Sequence, residues 1–158
     1  MERVLKFYGK EGQKNGVDVK FGGLNGKAEA NTGTARSGFL ALHQTTTITF
    51  DLDQMHHDFG IPGRNEEGET AAVAAHEGQH GIDQKAGLPQ GGLPNTTAGE
   101  RRAFTTGQGY VSEGLGFKSA YGIWDPSWPA DKAEGNRQNA IDGVAKKAAE
   151  NECEEGGC

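Results

Sequence analysis

Hydrophobic and polar positions alternate most cleanly over residues 45–52, where Ile48, Phe50 and Leu52 interleave with Thr47, Thr49 and Asp51. A period of two turns one face inward, and threonine favours extended backbone, so this stretch predicts a half-buried strand. Upstream, residues 3–8 and 17–21 predict two shorter strands, with Asn15-Gly16 as the hairpin turn between them. Gly22-Gly23-Leu24-Asn25-Gly26 reads as a loop without the lysine of a phosphate-binding loop. Downstream, Met55-His56-His57-Asp58-Phe59-Gly60 and the turn at Pro62-Gly63 predict a surface loop.

The pattern then becomes helical. An alanine-rich run is preceded by Asn65 and Thr70, both suitable N-caps, with Glu66, Glu67 and Glu69 at its positive end. Lys85, Gly87 and Pro89 mark its stop. Gly78 and Gly81 lie inside this helix, at about 1 kcal/mol each relative to alanine. That cost is tolerable where a substrate or another backbone passes close by. Residues 88–97 read as a loop, and a second helix is expected over 98–106. Residues 107–128 mix glycine with Tyr110, Phe117, Tyr121, Trp124 and Trp128, an aromatic set suited to covering a core. A last helix over 131–150 places Ala133, Ala140, Ile141, Val144 and Ala148 on one weakly apolar face. There is no internal repeat. The expected architecture is one α+β domain over residues 1–158. It has a glycine-rich leader with short strands over 1–38, a small twisted sheet, a central helix and one or two supporting helices.

Composition changes this picture little. A chain of 158 residues is long enough for one domain with a real core. The hydrophobic share of 34% and the 26 glycines keep that core modest. A net charge of −6 argues against nucleic acid as a partner, since Arg101-Arg102 and Lys146-Lys147 are isolated pairs rather than a basic face. No run approaches the roughly 18–20 apolar residues of a membrane span, and the start of the chain has no apolar signal-peptide core. Cys153 and Cys158 could close a small loop in an oxidising compartment or stay as thiols on a frayed tail. A frayed tail over 151–158 is the expectation, and localisation stays open.

The chemistry concentrates in His76-Glu77-Gly78-Gln79-His80. Two histidines four apart on a helix present both imidazoles to one metal ion, and the glutamate between them reaches a water beside it. This is the arrangement of metal-assisted hydrolysis, with Zn²⁺ as the expected ion and Glu77 as the base. A third ligand is needed. The candidates are Glu100, Glu113, Asp83, His43, His56 and His57. Asp83 shares the helix of His76 and His80, so a contact to an imidazole nitrogen suits it better than ligation. Glu100 follows His80 after a loop long enough for a second helix to fold back, and it is the choice. Against it, Thr97-Ala98-Gly99-Glu100 has the form of a capping box, unless Asn95 or Thr96 supplies the cap. Tyr110 and Tyr121 are the phenols available to stabilise an oxyanion.

His76-Glu77-Gly78-Gln79-His80 followed by Glu100-Arg101-Arg102-Ala103-Phe104 resembles the gluzincin group of zinc metallopeptidases. The resemblance implies a zincin-like fold, a His76, His80, Glu100 ligand set and a peptide substrate. It also implies that the strand over 45–52 is the sheet edge along which that substrate lies. The group often carries an acid four residues after the third ligand, where this chain has Phe104. The glycine-rich leader, the His-Glu-Gly-Gln-His core and the Glu100 segment are also similar to metallopeptidase toxin domains at the C-termini of Rhs and related polymorphic bacterial toxins. That likeness implies delivery into a target cell as part of a larger protein, and an immunity protein as inhibitor. Two other functions share the motif. One is zinc-dependent hydrolysis of a non-peptide amide. The other is a non-catalytic zinc-stabilised binding domain, which would have no use for Glu77.

Overall fold

Strand β3 (His43–Phe50) holds the centre of the sheet, and its alternation is the reason. Thr46, Ile48 and Phe50 turn inward and are buried, while Thr47 and Thr49 are partly exposed. The computed structural model describes residues 2–10, 15–25, 28–37 and 43–154. Within them, β1 (Val17–Phe21) pairs parallel with β3, from Val17 opposite Thr46 to Phe21 opposite Phe50. Strand β2 (Ala30–Ser37) pairs antiparallel on the other side, from Ala30 opposite Phe50 to Ser37 opposite His43. The order β1-β3-β2 makes β3 central and puts β2 at the edge, so the strand expected to be the edge is not. The leader hid β2 because Gly33, Asn31 and three small residues blur its alternation.

Residues 2–8 differ from the expected strand: they form helix α1 (Glu2–Tyr8). Because β1 takes its partner from β3, no hairpin is formed at Asn15. Instead the Asn15 side chain donates to the carbonyls of Phe7 and Tyr8 at 3.0 Å each, and its Oδ1 accepts from the Val17 N–H at 3.1 Å. One side chain thus closes the helix and starts the strand.

The chain leaves the sheet at Asp51, whose carboxylate accepts from the N–H of Gln54 at 3.1 Å and of Leu24 at 2.6 Å. That N-cap opens α2 (Leu52–Phe59), where a surface loop was expected. Met55 and Phe59, four apart, are buried against the sheet, while Leu52 ends up exposed in the first turn. His56 and His57 do lie on the exposed side of α2.

Helix α3 (Glu66–Lys85) runs through the middle of the molecule. Asn65 caps it by accepting from the Gly68 N–H at 3.0 Å, and Gly87 follows in the left-handed region at φ +71°. The interior glycines face side chains of α1 rather than a backbone or a substrate. A Cβ on Gly78 would lie 2.5 Å from Val4 Cγ1, and one on Gly81 would lie 2.4 Å from Phe7 Cζ. Beyond α3, helix α4 (Leu93–Phe104) begins five residues earlier than expected, with Pro94 in its first turn. It passes through a π-helical turn (Thr105–Gly109) into α5 (Tyr110–Leu115). The turn starts inside the helix expected over 98–106, and α5 lies where only glycine and aromatic residues had been legible. Helix α6 (Ala130–Glu154) packs Ile141, Ala145 and Ala149 against the rest. Residues 151–154 belong to it, so the expected fraying is not met there; 155–158, Cys158 included, lie outside the described residues. The result is an α+β fold. No helix among the described residues is long and apolar enough to cross a membrane.

Candidate metal centre

His76 and His80 lie one turn apart on α3, and their Nε2 atoms approach to 3.0 Å. Helix α4 crosses beside them and delivers Glu100 from its middle. Its Oε1 is 3.1 Å from His80 Nε2 and its Oε2 is 3.5 Å from His76 Nε2. The three ligand atoms fall within 4.8 Å of one another, a group that could hold a metal ion. The donor chemistry fits such an ion. Two imidazole nitrogens and a carboxylate lie together at the wall of one cleft, a donor set of the kind that binds metal ions. Burial alone would raise the Glu100 carboxyl. Hydrogen bonds and charge from the two imidazoles outweigh it and hold the group far below the usual carboxylate range.

The capping box is not formed. Thr97 is already inside α4, and its Oγ1 donates to the Leu93 carbonyl at 2.7 Å. Asn95 and Thr96 are inside the helix too, their side chains bonded to the carbonyls of Gly91 and Gln90. Glu100 is therefore free to face α3. Glu113 sits on α5 and takes an ion pair from Arg137, away from the histidines. His56 pairs with Glu66 and His57 with Asp58; the side chain of His43 lies outside the described residues.

Asp83 does not touch an imidazole. Its Oδ1 accepts from Gln79 Nε2 at 2.7 Å and its Oδ2 meets Arg102 Nε at 2.6 Å. The competing partner is Arg102, which arrives on the same helix as Glu100 and ties α4 to α3.

Glu77 is 7% exposed and lines the same cleft as the three ligands, a cavity of about 1080 Å³. Its Oε2 accepts from Thr32 Oγ1, on β2, at 2.6 Å. Tyr121 lines this cleft as well, and its hydroxyl donates to Glu29 Oε1 at 2.8 Å. Burial, then the charge of Glu29, pushes that phenol well above its ordinary range, so it stays a donor. Buried Glu69 anchors this segment by accepting from the Ala120 N–H. Tyr110, the other phenol, is exposed and stacks under the Arg137 guanidinium, outside the cleft. Among the described residues lining the cleft there is no lysine or arginine, whereas Glu29, Glu152 and Glu154 add carboxylates beyond Glu77 and Glu100.

Two contributors were not foreseen. Thr32 belongs to the strand that the leader concealed. Gln108, 1% exposed, sits in the π-helical turn, and its Oε1 lies 3.3 Å from His76 Nδ1. Phe104, four residues after Glu100, instead packs its ring edge-on against His76 at 4.5 Å between centroids. The missing acid at position 104 could have prompted a search for another partner of His76, but no spacing rule anticipates a π turn. Comparison with known proteins adds nothing to this: no family model, curated protein or solved structure matches the chain.

Proposed function

We propose that the chain is a zinc-dependent metallopeptidase of gluzincin type, with His76, His80 and Glu100 as ligands and Glu77 as general base. The observation that carries the reading is the convergence of these three side chains at the wall of a cleft that Glu77 shares. Two imidazoles and one carboxylate suit zinc at a catalytic site, where a fourth position would stay open. When bound, the ion would polarise the scissile carbonyl and acidify a water molecule.

The chain's own residues supply the rest. Glu77 accepts the proton from that water and passes it to the leaving amine. Thr32 occupies one oxygen of the carboxylate, and Glu77 lines the cleft beside the ligands. Tyr121 is the phenol for an oxyanion donor, since it lines the cleft and Tyr110 does not, and its hydroxyl would have to turn from Glu29 to serve. Among the described residues strand β2 has one neighbour in the sheet, and it borders the cleft from Ala30 to Thr32, so its outer edge is the place for an extended peptide. A purely structural zinc site would gain nothing from Glu77, a carboxylate whose burial beside the ligands is costly.

The similarity to toxin domains supports a further part of the reading: a delivered bacterial effector held in check by an immunity protein. The carboxylates of the cleft favour an inhibitor, and substrates, that present basic groups. The test is hydrolysis of a mixed peptide library by the zinc-loaded protein, beside Glu77→Gln. The expected outcome is cleavage that stops on chelation, returns with zinc, and falls about 10²–10⁴-fold in the variant. Absence of cleavage, or full turnover by Glu77→Gln, would contradict it.

A further inference from the structure

The helix that supplies Glu100 does not stay α-helical. At about 100° per residue, an unbroken helix would carry Gln108 roughly 80° round from Glu100, turned away from α3. A π turn takes up about one extra residue, which brings Gln108 back to within roughly 20° of the Glu100 face. The turn can sit this close only because residue 107 is glycine. A Cβ there would lie 2.4 Å from the Ala72 carbonyl oxygen and 2.9 Å from the His76 backbone nitrogen. The widened turn thus presses against the stretch of α3 that carries His76, and the side chain it delivers there is a carboxamide.

We propose that Gln108 is a positioning residue for the metal centre: its Oε1 accepts the Nδ1 proton of His76 and holds the ring in the tautomer whose Nε2 lone pair faces His80 and Glu100. The inference rests on the metal-centre reading for its consequence and on geometry for its substance. The contact is 3.3 Å long between groups that are both buried, so losing the acceptor would leave a largely desolvated ring N–H poorly satisfied. Phe104 packs against the same ring at 4.5 Å between centroids. Between them they fix both the rotation of the imidazole and the location of its proton, as outer partners of ligating histidines do. The amide does this without a charge. Among the described residues, Glu100 is the carboxylate in contact with His76.

The test uses the full chain as wild type, Gln108→Met and Gln108→Glu. Zinc affinity is measured by competition with a chelator, and His76 ring ¹⁵N shifts are measured in the metal-free protein. The expected result is zinc binding about 10–100-fold weaker in Gln108→Met and recovered or tighter in Gln108→Glu. The His76 shifts should report an Nδ1-bound proton in wild type, held by Gln108 against the pull of the Glu100 carboxylate on an Nε2 proton, and a move toward the Nε2-bound form in Gln108→Met. Melting temperatures separate this from simple misfolding, since the glutamate restores the acceptor and not the amide. Unchanged affinity together with an unchanged tautomer in Gln108→Met would overturn the inference. If wild type held no zinc, the metal-centre reading would fall, and the ring shifts alone would still decide whether Gln108 sets the tautomer.

Discussion

Replacing Glu100 by alanine removes one of the three groups that meet at the two imidazoles, and two of the other candidate ligands are held elsewhere. Glu113 is held by Arg137, and Asp83 by Arg102 and Gln79. Zinc affinity in Glu100→Ala is therefore expected to fall by several powers of ten, while Glu113→Ala keeps the ion; isothermal titration of both variants checks this. The helix start should be unaffected by Glu100→Ala, because α4 begins at Leu93 and not at Thr97. Equal affinities in the two variants would remove Glu100 from the site. At this scale His76, Glu77 and His80 were legible because their relation depends only on local helix periodicity. Glu100 was legible from the loop that lets a second helix fold back, in competition with a capping box that the earlier helix start dissolved. Thr32 and Gln108 were not legible, since one depends on an unrecognised strand and the other on an extra residue in a helical turn.

Among the elements, the π turn is the one whose sequence leaves least freedom. Gly107 faces the Ala72 carbonyl oxygen, which is backbone inside α3 and cannot rotate away. Gly107→Ala is expected to destabilise the fold by about 1–3 kcal/mol. Gly114, in α5, has open space around its Cβ position, so Gly114→Ala should be neutral or stabilising by up to about 1 kcal/mol. Denaturant unfolding of the pair measures the contrast, and a neutral Gly107→Ala would mean that the turn is not pinned to α3. The elements misread from sequence share a physical cause. Residues 2–8 and 52–59 were judged by local signals, but pairing partners and burial decided them. Residues 3–8 lost a strand neighbour because β1 pairs with β3, and Met55 and Phe59 found the sheet to pack on. Where the local signal was long and periodic, at β3, α3 and α6, tertiary packing agreed with it.

For the molecule as a whole, a cleft lined by five glutamates and no lysine or arginine among the described residues concentrates much of the net negative charge at the proposed active site. If the protein acts as a delivered toxin, its production in a bacterial cytoplasm should slow growth, and Glu77→Gln should abolish that effect while leaving expression unchanged. Induced growth curves of the two strains provide the comparison, and equal growth would count against a cytoplasmic target. The α+β class was legible because a threonine-rich alternating strand and an alanine-rich helix have different periods. The placing of β2 beside Glu77 was not, because it depends on which side of β3 each neighbour takes.

The central claim is that three side chains hold one metal ion, and metal content tests it most directly. Wild type, His76→Ala and His80→Ala would be purified without added metal and assayed by elemental mass spectrometry, with anomalous scattering at the zinc edge locating any ion. The account predicts about one zinc per wild-type chain, placed between His76, His80 and Glu100, and almost none in either variant. A full equivalent surviving in His76→Ala or His80→Ala, or a folded wild-type protein that takes up no zinc even when it is supplied, would contradict it.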